Sequence, residues 1–157
     1  MQAIQSVAVI GAGNMGSGIA QKTAQEEFDV QMVDREAQWV ERGEKIISDF
    51  LSEAVERRIF SPQQVEEIQA RITGVVGTEN VAANTDLVIE AVFEDFDIKT
   101  AVFKTLNEVC GEDTILASNT SSLNVNSLAE ASGRADKFVG LHFFYHPAKN
   151  RLIEVIP

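Results

Sequence analysis

The sequence predicts an α/β fold: a doubly wound, mainly parallel sheet with helices on both faces. Three observations carry this. Short apolar runs alternate with amphipathic stretches along the whole chain, and such alternation implies crossover connections. The first run, residues 7–10, leads directly into a glycine-rich segment and then a helical pattern. The length of 157 residues, 45% of them hydrophobic, suits one domain with a real core.

Each element follows in order. Val7-Ala8-Val9-Ile10 is continuous and apolar, as a strand buried on both faces would be. Met15, Ile19 and Thr23 mark the helix after the glycines, and residues 30–33 form the second strand. Trp39, Val40, Gly43, Ile46, Ile47, Phe50, Leu51, Ala54 and Val55 keep a helical period, with Glu41, Glu44, Asp49 and Glu53 on the solvated side. Ser61-Pro62-Gln63-Gln64 starts another helix: Ser61 is the N-cap, Pro62 the first helical residue, and Gln64 completes a capping box. Residues 72–76 and 87–93 are strands rich in branched side chains. Ile98, Val102, Leu106 and Val109 mark a helix, with Asp95 or Asp97 near its start and Gly111 past its end. Residues 114–117 are a strand that runs into Ser118-Asn119-Thr120-Ser121-Ser122, a polar turn. Residues 128–131 form a short helix stopped by Gly133, and residues 138–143 and 152–156 are the last strands.

Composition excludes several classes. A net charge of −11 disfavours nucleic-acid binding, because phosphate-neutralising side chains are outnumbered. No segment approaches the ~20 apolar residues that cross a bilayer. One cysteine, Cys110, makes no intrachain disulfide, which points to a reducing compartment and a cytoplasmic protein. Nothing suggests a metal site.

Gly11-Ala12-Gly13-Asn14-Met15-Gly16 fits G-x-G-x-x-G in the setting that gives the pattern meaning, between a strand and a helix. Gly11 permits the tight turn, Gly13 admits a pyrophosphate, and Gly16 lets helix and strand pack closely. The helix N-terminus supplies N–H groups and partial positive charge to the phosphates. Asp34 ends the second strand, where a carboxylate accepts hydrogen bonds from ribose hydroxyls and repels a 2′-phosphate. The cofactor expected is therefore NAD, although Arg35 next door could accommodate the extra phosphate.

His142 and Glu154 lie in the last two strands. If these strands are neighbours, a carboxylate and an imidazole can meet. An imidazole titrating near neutrality suits removal of a hydroxyl proton as hydride leaves carbon. Glu154 would orient the ring and stabilise the imidazolium. Its apolar flanks, Ile153 and Val155, suggest a buried charge that needs a partner. A serine of the 118–122 turn could donate to a substrate oxygen, while turn formation and capping are the commoner uses of such serines.

These segments together resemble the NAD-binding domain of the 3-hydroxyacyl-CoA dehydrogenase family, a Rossmann-type fold. The resemblance rests on residues 9–16, on Asp86-Leu87-Val88-Ile89-Glu90-Ala91, on Ala117-Ser118-Asn119-Thr120-Ser121-Ser122-Leu123, on Gly140-Leu141-His142-Phe143-Phe144 and on Leu152-Ile153-Glu154-Val155-Ile156. It covers nearly the whole chain and implies oxidation of an L-3-hydroxyacyl-CoA to a 3-oxoacyl-CoA, as in β-oxidation. By motif, His142 matches the catalytic histidine and Glu154 its paired glutamate. Ser121 matches the serine that bonds substrate near the nicotinamide. Glu94 and Lys99 match positions that contact the nicotinamide side of the cofactor, and Asn14, Met15, Arg35, Asn119 and Ser121 are expected among the cofactor contacts. Without the resemblance, Lys99 could equally be a solvated lysine of a first helical turn and Glu94 an acid at a strand-to-helix turn.

Two departures stand out. Tyr145-His146-Pro147 replaces the family's Asn-Pro, so Tyr145 occupies the place of an asparagine that touches cofactor and substrate. The family also continues into an all-helical domain that covers the acyl-CoA and makes most of the dimer contact. Residues 1–157 are thus expected to be the NAD-binding domain alone, from a protein that is a homodimer at full length. Arg134, Lys137, Lys149 and Arg151 form a locally basic stretch that could steer an anionic thioester, and Arg57 with Arg58 is a weaker CoA contact. Rival readings are a relative acting on a free hydroxy acid or sugar acid, and a dinucleotide-binding module without catalysis.

Overall fold

The computed structural model describes residues 3–157. Its seven strands are β1 Ser6–Ile10, β2 Asp29–Asp34, β3 Ile72–Val76, β4 Leu87–Glu90, β5 Ile115–Ser118, β6 Phe138–Phe143 and β7 Ile153–Ile156. The helices are α1 Asn14–Gln25, α2 Ala37–Glu56, α3 Pro62–Ala70, α4 Phe96–Val109 and α5 Val125–Ser132. The strands form one sheet in the order β3-β2-β1-β4-β5-β6-β7. All neighbours are parallel except β6 and β7, which are antiparallel.

Alternation along the central strands builds the two layers. Val7 and Val9 join Ile19, Ala20, Met32, Ile47 and Leu51 in one apolar cluster, on the side of α1 and α2. Ala8 and Ile10 point the other way, into a cluster with Phe103, Leu106 and Cys110 of the α4 side. That is why residues 7–10 read as a continuous apolar run. The capping box at Ser61 and Gln64 forms as expected, Asp95 rather than Asp97 caps α4, and Gly133 ends α5 at a positive φ of 77°.

Three expectations are corrected. The strand predicted over residues 87–93 stops at Glu90, because the Glu90 side chain accepts a hydrogen bond from the Val92 N–H at 2.7 Å and turns the chain out of the sheet. The strand predicted over 152–156 is an edge strand, so Glu154 is 57% exposed rather than buried. Half of the basic stretch is consumed by structure. Buried Arg134 donates to the carbonyls of Asn107, Cys110, Gly111 and Thr114 and to the Asn107 side chain, closing the end of α4. Lys137 pairs with Asp113.

Among the described residues, no helix is long and apolar enough to cross a membrane. Arg134→Met is expected to lower stability by about 2–4 kcal/mol, since it strands several buried carbonyls. Urea unfolding of the variant beside the wild type, at equal slope, measures this.

Candidate active site

Strand order reverses direction between β1 and β4, so the connections leaving these strands part and open a crevice at their C-terminal ends. The loop after β1 and the loop after β4 form its walls. Two cavities occupy it and meet at Ala91 and Val92.

The larger cavity, about 680 Å³, is lined by Gly11, Gly13, Asn14, Asp34, Arg35 and Trp39, among others. Gly11 sits at φ +105°, and a side chain there would strike the Ala91 carbonyl. A Cβ on Gly16 would overlap the Gly11 carbonyl at 1.7 Å, so only glycine lets α1 start this close to β1. At Gly13 a Cβ would meet nothing within 4 Å. The space it leaves open is therefore space for a ligand. No side chain caps α1, so its first N–H groups are free for an anion.

Asp34 lines this cavity from the end of β2. One carboxylate oxygen accepts from the Ala12 N–H and the other from the Arg35 N–H, each at 2.8 Å. The acid thus braces the glycine loop with one lone pair and keeps others for a ribose. The Arg35 side chain is exposed and pairs with Glu36 at 3.3 Å. Trp39 and Arg42, with the guanidinium 6.0 Å from the ring centre, complete this end. Sequence reasoning missed both as site residues, because Trp39 fits the apolar stripe of α2.

The second cavity, about 360 Å³, is lined by Met15, Glu94, Lys99, Asn119, Ser121, His142, Phe144 and Tyr145, among others. His142 and Glu154 face each other directly across β6 and β7, and the ring nitrogen Nδ1 lies 3.4 Å from the carboxylate. The ring is mostly covered, whereas its partner is exposed. Asn119 ties the serine turn to this strand: its side-chain oxygen accepts from the Phe143 N–H at 2.8 Å.

Glu94 organises the turn itself. It accepts from the Thr120 hydroxyl, from the Ser121 N–H at 3.2 Å and from the Ser122 hydroxyl at 3.0 Å. Burial works to raise its pKa, but the bonds from Thr120, Lys99 and Ser122 and the Lys99 charge outweigh it and hold the carboxyl at about 2.

Lys99 is wholly buried, contrary to a solvated reading of its helix position. Its ammonium bonds Glu90 at 2.6 Å and Glu94 at 3.1 Å. Glu90, 0% exposed, also accepts from the Ser118 hydroxyl at 2.6 Å. Sequence reasoning quoted Glu90 in a motif and assigned it nothing. A carboxylate ending the apolar run Leu87-Val88-Ile89 was the available signal, since it demands a buried donor.

The weaker substrate contacts divide. Tyr145 stands at the cavity mouth, 74% exposed. Lys149 lies 4.9 Å over the Phe50 ring, and His146 stacks on the same ring at 4.9 Å. Burial, with Lys149 nearby, lowers the His146 pKa. Arg151 is exposed. Arg57 lines neither cavity; it pairs with Glu53 at 2.5 Å at the end of α2, as a helix-end cation does.

Residues 6–157 match the family model for the 3-hydroxyacyl-CoA dehydrogenase NAD binding domain. The chain belongs to this family. It is 37% identical over 158 residues to hydroxyacyl-coenzyme A dehydrogenase, mitochondrial, of Sus scrofa, covering 98% of this chain and 50% of that protein. It is 39% identical over 150 residues to 3-hydroxybutyryl-CoA dehydrogenase of Clostridioides difficile, covering 96% of this chain and 53% of that protein. The crystal structure of M. tuberculosis FadB2 superposes with a TM-score of 0.94 at 33% identity, covering 98% of this chain and 54% of that one. The chain thus spans about half the length of the curated relatives it matches. Its cofactor is NAD, and the open space at Gly13, the free helix end and the Asp34 carboxylate fit that dinucleotide.

Two outcomes follow. Gly13→Ala is expected to keep its melting temperature, having no steric conflict in the folded chain, yet to lose about tenfold or more in NADH affinity by fluorescence titration. A carboxyl held below its unfolded pKa stabilises the fold above that unfolded value, and the stabilisation disappears as pH falls through the folded value. Glu94 is therefore expected to contribute fully above about pH 4.5 and to lose its contribution on acidification towards about pH 2. Melting temperature against pH should fall less steeply in this window for Glu94→Gln.

Proposed function

We propose that this chain is the NAD-binding and proton-abstracting half of an L-3-hydroxyacyl-CoA dehydrogenase, interconverting 3-hydroxyacyl-CoA and 3-oxoacyl-CoA. The observation that carries this is the facing pair His142 and Glu154, beside the cavity that Ser121 and Glu94 line. When bound, NAD supplies the acceptor for the hydride that leaves the substrate's C3.

The chain's own residues handle the proton. Nδ1 faces Glu154, which favours the tautomer with the proton on Nδ1 and leaves Nε2 as the base. Nε2 takes the C3 hydroxyl proton, and Glu154 then stabilises the imidazolium. A charged partner is useful here because the acid is anchored in the neighbouring strand and needs no reorganisation. Ser121, whose N–H is held by Glu94, presents its hydroxyl to the same substrate oxygen. Asp34 holds the ribose, while Gly11, Gly13, Asn14, Met15 and Gly16 surround the pyrophosphate.

Tyr145 stands at the mouth of the cavity, where an acyl-CoA would approach, while Lys149 and Arg151 line neither cavity. The half-length match to relatives and the exposed Leu152, Ile153 and Val155 support a further, helical part of the same protein seated beside β7, with a homodimer at full length. Without that part, slow turnover is expected, since nothing would exclude water from the substrate. The relatives' names support a role in fatty-acid oxidation, and the lone buried Cys110 is in keeping with the cytoplasm. A second reading, a dehydrogenase of a free hydroxy acid, is favoured by Tyr145 at the cavity mouth, which by the resemblance replaces an asparagine that touches cofactor and substrate.

Acetoacetyl-CoA and free acetoacetate, each supplied with NADH to the complete protein, separate the readings. Turnover of the thioester is expected, and turnover of the free acid alone would reject the CoA assignment. His142→Ala is expected to lower kcat about 10²–10⁴-fold with NADH affinity unchanged. Full turnover by that variant would reject His142 as the base.

A further inference from the structure

Beside the His142-side cavity lie three charged groups, none of which takes or gives the transferred proton. Lys99 is held by Glu90 at 2.6 Å and by Glu94 at 3.1 Å. Their exposures differ sharply. Glu90 is wholly buried and lines neither cavity, whereas the Glu94 side chain is 36% exposed and lines the cavity where the serine turn and His142 meet. Glu90 is the better placed partner for the ammonium. Its second oxygen is tied to Ser118 and its first also accepts from Val92, so it cannot swing away. The trio carries one net negative charge, and the carboxylate that faces the cavity is Glu94.

We propose that Glu90 is a positioning residue that neutralises Lys99 from below, leaving the Glu94 charge free to act on the cavity and to favour the cationic, oxidised nicotinamide over the neutral, reduced ring. Without Glu90, Lys99 and Glu94 would cancel. The inference rests on the proposed function and on the nicotinamide lying in this cavity, as the resemblance implies for Glu94 and Lys99. The physical basis is simple. The oxidised ring bears a positive charge that hydride addition removes, so a fixed charge nearby changes the affinity of one form and not the other. A contact to the carboxamide or ribose, common to both forms, cancels in their ratio.

The test is the ratio of NADH and NAD dissociation constants, measured on the protein by fluorescence titration and competition. Glu90→Gln keeps the side chain's shape and removes its charge. It should shift the ratio about three- to tenfold in favour of NADH, the size expected of one unit charge in a partly screened site. The double variant Glu90→Gln with Lys99→Met restores one net negative charge and should return the ratio to the wild-type value. A structural role alone would make the double variant no better than the single one. An unchanged ratio in Glu90→Gln, or a shift that persists in the double variant, overturns the proposal.

If Glu90→Gln does not fold, the double variant serves as the reference. It must itself match the wild-type ratio, and adding Glu94→Gln to it must produce the shift; failure of either overturns the proposal. Ser121→Phe tests the placement of the ring separately by filling the cavity. Loss of NADH affinity with ADP-ribose affinity retained supports the placement. Unchanged NADH affinity fails the placement, and the charge proposal falls with it.

Discussion

The site depends on one constraint of chain topology: β1 and β4 lie side by side, but the segments leaving them must go to opposite faces of the sheet. Neither loop can cover the gap between them. The backbone of the glycine loop is therefore exposed along one wall and residues 91–95 along the other. Both cavities occur here, sharing Ala91 and Val92, and the second is lined by the C-terminal ends of β4, β5 and β6 and the turns beyond them, with Met15 and Lys99 from the first turns of α1 and α4. Gly11 and Gly16 are needed because this gap leaves no room for a Cβ where loop, strand and helix converge.

The two ends of the crevice are held by different physics. At the glycine end the uncapped N–H groups of α1 face the cavity, and Asp34 adds a single carboxylate fixed by two N–H groups. At the histidine end, side-chain networks set the geometry. Glu94 alone gathers the hydroxyls of Thr120 and Ser122 and the N–H of Ser121, and Asn119 joins that turn to β6. Such a network is costly to build around a lysine and two acids, because desolvating charge opposes folding. It holds because nearly every polar atom in it has a partner.

The contrast between the two carboxylate partners is also physical. Glu90 is shut inside the sheet and is met there by an ammonium and a hydroxyl. Glu154 stands on the edge strand with water on one side and meets an imidazole at the longer distance of 3.4 Å. The first arrangement satisfies a carboxylate entirely from within the protein. The second leaves the carboxylate open to water as well as to the ring.

Much of this was legible from residue order alone. The period of each apolar run, the glycines at their spacing, Asp34 at a strand end and the capping box at Ser61 are local signals, set by backbone sterics and nearest neighbours. They determine the order of elements and the cofactor end of the crevice. Tertiary structure decided what depends on distant segments meeting. Leu87 and its neighbours looked like a longer strand until the Glu90 side chain bent back to Val92. Arg134 looked like a surface cation until α4 supplied carbonyls to bury it. Lys99 was as readable as a solvated lysine as a site residue, because a helical position does not reveal which strand end it will face, and Glu154 looked buried because an apolar flank does not reveal that its strand lies at the sheet's edge. Burial and pairing of charge are properties of three-dimensional neighbours, and a one-dimensional pattern carries them only where those neighbours are also close in sequence.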